Sequence, residues 1–486
     1  MPAFDPQLLA AWTGGRWTRP PEGPLTGFSA DSRRLGFGQV FVALQTAQRD
    51  GHAFVSAAGR AGAGAALVAD AQTGAALPQL VVADPLTALQ AIAREHRRRF
   101  PGPVVGISGS AGKTSTKDLL ARLLEGRPGS VLATEGNLNN HLGVPLTLLR
   151  LDPRVHAFAV IEAGISAPGE MAPLAAMIEP DVAVITLVAP AHLEALGGIE
   201  GVAREKARLP AAVRPGGRAL FPASCAQFAA FRALTGRVGV LERRTGRAGS
   251  ELAPAGAPGP GPSAAAGADT RAALERIGFT VTHRGDATTI ALEGVAPTTD
   301  FTLRRVSDGM AQNAALAISA ALGLGVPAAD VAARLAGWGP APLRGEWRQD
   351  GLRRLYVDCY NANPAAMADA LTTFCAVAPA AEPRLFVLGC MEELGPDAAD
   401  YHRTLGRTLP LRAGDFAVVI GTQAEAVREG AVAGGHRPDR IRIAASAGEL
   451  APIVGGFRGS VFVKGSRRYA LEQALGGALG AEVLHA

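Results

Sequence analysis

The sequence predicts an α/β protein of several domains built on parallel sheets, and two observations carry that prediction. Short apolar runs such as PVVGIS, HAFAVIEAG and PDVAVITLV alternate with segments of helical spacing. The alternation returns near the end of the chain in RRLYVD, PRLFVLG, DFAVVIG, DRIRIAA and GSVFVKG. Runs this short and this apolar suit strands covered by helices on both faces. The second observation is length: 486 residues exceed what one hydrophobic core organises.

Taken in order, residues 1–100 read as a small α/β unit, with strands in GQVFVAL and PQLVVAD and a helix over PLTALQAIAREHRRRF. Strand–loop–helix alternation begins at PGPVVGISGS. Residues 254–268, PAGAPGPGPSAAAGA, are too poor in bulky apolar side chains to build a core, and are expected to be a mobile insertion in the middle domain. An Ala-rich helix is expected at about 310–324. GWGPAP at 337–342 reads as a hinge, and the remainder as a doubly wound parallel sheet.

Composition narrows the function classes. The formal charge of +5 is mild and suits anionic small substrates. The one basic cluster, REHRRRF at 94–100, reads as a solvated helix end rather than a nucleic-acid surface. Four cysteines without metal-ligand spacing suit a reducing compartment. No apolar run reaches membrane-spanning length and the first residues lack a basic, apolar leader pattern, so a cytoplasmic protein is expected.

The strongest chemical signal is VVGISGSAGKTSTKDLLARLL, an apolar strand, a glycine-rich loop and an amphipathic helix. Gly109 and Gly112 let the loop, with Ser110 and Ala111, curl so that backbone N–H groups face phosphate oxygens. Lys113 would reach the terminal phosphates, and Thr114 or Ser115 would bind Mg²⁺. Ile107 stands where the usual P-loop begins with glycine. Lys117, one turn further on, reads as a surface residue.

In TEGNLNNHLGVPLTLLR, Asn137, Asn139 and Asn140 suggest either a ligand-binding loop or a plain turn. Two strands are read as ending on Glu162 and on His192 with Glu194, on the rim where parallel sheets place ligands. There a carboxylate and an imidazole either bind Mg²⁺, or position the substrate, or are packed polar residues. Lys464 and Arg467, in VKGSR, read either as an anion site or as a solvated strand-end loop.

Lysine usage adds a further clue. Only Lys113, Lys117, Lys206 and Lys464 are lysines; every other one of the 48 basic residues is arginine. Lys206, on the helix in GIEGVAREKARL, is either a leftover surface lysine or a position that needs an amine. A neutral amine can add CO₂ to give an anionic carbamate, which a guanidinium cannot do.

These motifs together resemble the Mur ligases, ATP-dependent amide-forming enzymes of peptidoglycan synthesis. The resemblance rests on DSRRLGFGQVFVAL, GSAGKTSTK, GNLNNHLGVPLTLLR, AHLEALGGIEGVAREK, YNANPAAM, VLGCMEELG and VKGSR, and spans nearly the whole chain. The asparagine loop and YNANP resemble the branch that joins D-Ala-D-Ala to UDP-N-acetylmuramoyl-tripeptide. It implies a monomer of three domains: 1–100 for the UDP-substrate, a central P-loop ATPase at 101–338, and a C-terminal Rossmann-like domain at 339–486.

By the same resemblance Lys206 is the carbamylated lysine, and Glu162 and His192 are magnesium ligands with Thr114. Asn313 is the residue that meets adenine, and Arg344, Asp358, Tyr360 and Asn361 close over ATP. Asp31, Ser32 and Arg33 lie by the uridine diphosphate, and Asn363 belongs with the substrate contacts. Two places depart from the pattern: Gly309 replaces a histidine, and Cys359 a serine.

The implied reaction transfers the γ-phosphoryl group of ATP to the tripeptide carboxylate; the dipeptide amine then displaces phosphate. It calls for the C-terminal domain to swing against the central one about residues 337–342 and exclude water. The competing readings are a folylpolyglutamate-synthase type of ligase on the same fold, and a P-loop nucleotide switch without ligase activity.

Overall fold

In a computed structural model, residues 2–244, 273–294 and 299–479 are described, and they form three sheets. The expected insertion at 254–268 lies outside the described residues. The first sheet has five short strands in the order Arg16–Trp17, Gln79–Val81, Ala65–Val68, Val40–Val42 and Phe28–Ser29, antiparallel only at the first pair. Strand Ala65–Val68 was not expected from the sequence. Its four residues are all buried, and a run that short beside glycines gives little periodicity to read.

The central sheet has nine strands. From its middle to one edge it runs Arg218–Pro222, Val182–Ile185, Val104–Ser108, Phe158–Glu162 and Val131–Ala133, all parallel. Adjacent residues of one strand feed opposite cores: Val104 packs on one face, Val105 and Ile107 on the other. The far edge departs from the parallel expectation, because Ala287–Leu292 adds antiparallel to Ala273–Arg284 and Asp300–Arg304 adds antiparallel to Ala287–Leu292. Each alternates buried and partly open residues, as suits strands with one wetter face.

The third sheet runs Glu346–Asp350, Arg353–Asp358, Ser460–Lys464, Arg384–Gly389, Phe416–Ile420 and Ile441–Ala444. The last five are parallel, as the alternation predicts, and the first is an antiparallel edge. Separate apolar clusters cover its two faces. The Ala-rich helix spans Asp308–Gly323, with Ser307 capping it by accepting from the Met310 N–H.

One charge cluster is not the solvated end that its composition suggested. Helix Pro85–Arg98 carries Arg97 fully buried, where its guanidinium donates to the Ile178 and Glu179 carbonyls and pairs with Asp181 at 2.8 Å. Arg98 pairs with Glu179, and Arg99 lies over the Trp12 ring. The cluster therefore clamps residues 1–100 to the central sheet, and one continuous apolar core runs across that junction.

Candidate active site

The central and C-terminal sheets present the carboxyl ends of their strands to one cleft of about 310 Å³. From the central side come the loop 110–115, Asn137, Asn139, Glu162, Thr186 and Asn313; from the other side come Arg344, Asp358, Tyr360, Asn361, Asn363 and Lys464.

The loop after strand Val104–Ser108 has the backbone its glycines predict. Gly109 and Gly112 sit at φ +152° and +77°, and helix Lys113–Leu124 starts directly behind. Neither glycine tolerates a side chain. A Cβ on Gly109 would fall 1.8 Å from Thr186 Oγ1, and one on Gly112 would fall 2.1 Å from Asn313 Nδ2. Thr186 donates to the Ala111 carbonyl at 2.5 Å, and Ser110 donates to the Ala189 carbonyl at 2.8 Å. Lys113 folds back onto the Gly109 carbonyl at 2.9 Å, and burial holds its amine below the ordinary lysine range.

Glu162 ends its strand with the side chain 1% exposed. Asn139 donates to its Oε1 at 2.8 Å, while Oε2 is buried with no partner among the described residues. An orphan carboxylate oxygen in a cleft calls for a cation. Asn137 lines the same cleft, but Asn140 does not: its Oδ1 accepts from the Leu142 and Gly143 N–H groups at the start of helix Gly143–Leu148. The turn reading fits Asn140.

His192 does not end a strand. That strand stops at Ile185, and His192 lies beyond it at φ +52°, opening the short helix Leu193–Leu196. Its Nδ1 pairs with Glu393 of the C-terminal part, and the Leu193 N–H donates to the Glu393 carbonyl at 3.1 Å. Glu194 is exposed beside Gly395. Neither His192 nor Lys206 lines the cleft, although the charges of Lys113 and Lys206 both bear on His192. Among the described residues no three His, Cys, Asp or Glu side chains gather as a metal cage.

Lys206 is 1% exposed on helix Ile199–Ala211, and no described group bonds its amine. Burial first, then the neighbouring Lys113 cation, push it well below the ordinary lysine value. The surface alternative is excluded, and Lys117 is likewise no surface residue. Its amine donates to the Thr134 carbonyl at 2.7 Å and pairs with Asp118 at 2.6 Å. Every lysine of the chain thus lies in the cleft wall or behind it.

On the facing side, strands Arg353–Asp358 and Ser460–Lys464 end in register on opposite charges. Lys464 donates to Asp358 Oδ2 at 2.6 Å and to the Asn361 carbonyl at 3.2 Å. Its anionic partner is therefore internal, and Arg467 pairs with Glu472 away from the cleft. The Arg344 guanidinium stacks over the Tyr360 ring at 3.7 Å. Asn363 caps helix Pro364–Val377 through Oδ1, while its Nδ2 donates to the Ser110 carbonyl, tying this domain to the glycine loop. Gly309 makes a second tie: its N–H donates to Asp369 Oδ1 at 3.0 Å, where a Cβ would fall 2.6 Å from Oδ2.

Asp31, Ser32 and Arg33 stay outside this cleft; Asp31 and Arg33 pair with each other, holding the Asp31 carboxyl down at about 2. Thr186, Gln312 and Asp369 also line the cleft but were missed. Thr186 was within reach of the strand-end rule, whereas nothing local marks Gln312 and Asp369 on their helices.

Two family models match the chain: "Mur ligase middle domain" over residues 107–249 and "Mur ligase, glutamate ligase domain" over 343–473. The Escherichia coli (strain K12) UDP-N-acetylmuramoyl-tripeptide–D-alanyl-D-alanine ligase is 30% identical over 456 residues, 93% of each chain. The chain belongs to the Mur ligase family. The Mycobacterium tuberculosis (strain ATCC 25618 / H37Rv) enzyme of the same name is 32% identical over 466 residues, 87% of this chain and 85% of its own. A crystal structure of MurF from Acinetobacter baumannii aligns over 100% of both chains at 27% identity, with a TM-score of 0.81. As a Mur ligase, the chain is a mixed α/β ATP-dependent ligase, and no helix among its described residues is long and apolar enough to cross a membrane.

Proposed function

We propose that this Mur ligase joins D-Ala-D-Ala to UDP-N-acetylmuramoyl-tripeptide at the expense of ATP in the cytoplasmic synthesis of peptidoglycan precursors. The carrying observation is the cleft itself, where a glycine loop on one domain meets Arg344, Tyr360 and Asn363 of another. Relatives bearing that activity in their names match up to 93% of the chain, which favours it over a folylpolyglutamate-type ligase or a nucleotide switch.

We read three domains, 1–100, 101–338 and 339–486, with a P-loop sheet in the second and a Rossmann-like sheet in the third. The three separate sheets support that division. The cleft also fits the groups the family implies. Gly109 and Gly112 leave a backbone cradle for phosphates, and the free Oε2 of Glu162 with the Thr114 hydroxyl suits Mg²⁺, which takes one or two carboxylates and lets phosphate and water complete its shell. When bound, the metal ion would offset the charge that gathers between ATP and the carboxylate.

A carboxylate oxygen of the tripeptide attacks the γ-phosphorus and ADP leaves, giving an acyl phosphate. The dipeptide amine then attacks its carbonyl carbon, loses a proton, and phosphate departs. Lys113 neutralises the phosphates, and Arg344 with Tyr360 closes the nucleotide from the facing domain. Asn313 packs against the loop at Gly112, where an adenine contact is in reach. Lys206, buried with its amine driven toward neutrality, is suited to carbamylation; as a carbamate it would be an anion facing Lys113 and His192. His192, paired to Glu393, is read as positioning that group. The dipeptide and tripeptide fall to Asn137 and Asn139, and the uridine diphosphate to Asp31, Ser32 and Arg33.

The test is phosphate release from ATP with Mg²⁺ and bicarbonate, supplying both substrates and then omitting each. Release that requires both, with a UDP-pentapeptide by mass, is the expected result. Release indifferent to the dipeptide would overturn the proposal.

A further inference from the structure

A second cavity, of about 550 Å³, opens at the junction of the central and C-terminal domains, away from the cleft. Its wall joins the end of strand Asp300–Arg304, the hinge residues Gly339 and Pro340, and the edge strand Glu346–Asp350. Four arginines line it (Arg304, Arg305, Arg348 and Arg354) against two carboxylates, Asp286 and Glu346. Glu346 is already engaged, accepting from the Leu343 N–H at 2.9 Å and pairing with Arg348 at 2.9 Å. Arg304, Arg305 and Arg354 have no ion pair among the described residues.

Exposure alone would explain Arg304 and Arg354. It does not explain two other donors on the same wall: Arg305 Nε and Trp347 Nε1 are both buried and without a hydrogen-bond partner. Three guanidinium groups without ion pairs face two carboxylates, one of them already engaged, which leaves the cavity short of negative charge. A phosphate supplies that charge, and guanidinium groups hold its oxygens bidentately. The Arg304 side chain also rests on Gly339, its Cδ 3.6 Å from where a Cβ would stand, so an anion here would touch the segment joining the domains.

We propose that this cavity is a second anion site, separate from the ATP cleft, for a small phosphate-bearing molecule, and that its occupant bridges the two domains beside their connection. It takes Arg304 and Arg305 from one domain and Arg348 and Arg354 from the other.

The experiment is calorimetric titration of the full chain, in Mg²⁺-free buffer, with inorganic pyrophosphate, uridine diphosphate and ADP in parallel. The proteins are wild type, Lys113→Ala, Arg305→Gln/Arg354→Gln and Arg354→Gln alone. Pyrophosphate binding that survives Lys113→Ala and weakens about tenfold or more in the double arginine variant is the expected result. The exposed Arg354→Gln, expected to weaken binding about threefold or more, keeps the test decisive if the double variant does not fold. Preference for pyrophosphate over both nucleotides would assign an inorganic ligand, and the reverse a nucleotide. No binding in Lys113→Ala, or an unchanged isotherm in the arginine variants, would overturn the proposal.

Discussion

Lys206 is a cation that its surroundings are arranged to discharge, since burial and the Lys113 charge both oppose the ammonium form. Lys206→Met and Lys206→Arg are each expected to lower the rate of amide formation by about a hundredfold or more. They should differ in melting: a guanidinium cannot shed its proton in that cavity, so the arginine variant should unfold at lower temperature than the methionine one. Scanning calorimetry beside a coupled rate assay checks both. Gly112→Ala is a separate case. It places a side chain at φ +77° against Asn313, a strain of about 1–2 kcal/mol from the backbone alone. We expect ADP affinity to fall at least about tenfold in calorimetry while circular dichroism stays that of the wild type.

At the scale of elements, helix Pro85–Arg98 hangs on one buried guanidinium. Arg97→Ala leaves two carbonyls without their donor and Asp181 with only the Val104 N–H and Arg214, at a cost of about 1–3 kcal/mol, and chemical denaturation should show it. Asp369 gives a pH signature where helix Pro364–Val377 meets the start of helix Asp308–Gly323. Burial raises its carboxyl above the ordinary value, so the folded state holds that proton more tightly than the unfolded chain. Its contribution to stability is then present below about pH 4 and falls as pH rises through the folded value. Asp369→Asn keeps an acceptor for the Gly309 N–H and loses that slope. Its melting temperature relative to wild type should climb from pH 4 toward 7, and a flat difference would contradict the assignment.

These elements also separate what residue order makes legible from what it hides. The buried strands and the glycine loop were legible, because apolar runs and glycines at fixed spacing reflect local backbone demands. The fates of Arg97, Lys117 and Asn140 were not, since each is decided by what packs against it from distant segments or by a cap, and residue type alone does not carry that. Antiparallel edges such as Glu346–Asp350 escaped for a related reason, being polar strands that resemble loops.

Across the whole molecule, the C-terminal domain reaches the glycine loop through Asn363 and the His192 segment through Glu393. The closure expected of the ligase is thus already framed by side-chain contacts between the two domains. Asn363→Ala with Glu393→Ala should loosen them, and small-angle scattering without ligands should record a larger radius of gyration than for wild type. An unchanged radius would show that the Gly309 bond to Asp369 suffices.

Because no lysine of this chain stands on its surface, the protein offers almost no reactive amine to its surroundings. Acylating probes that would decorate an ordinary enzyme at dozens of places have their lysine targets here only in and behind one cleft. Such labelling would therefore report whether that cleft is open, and a bound nucleotide should protect it.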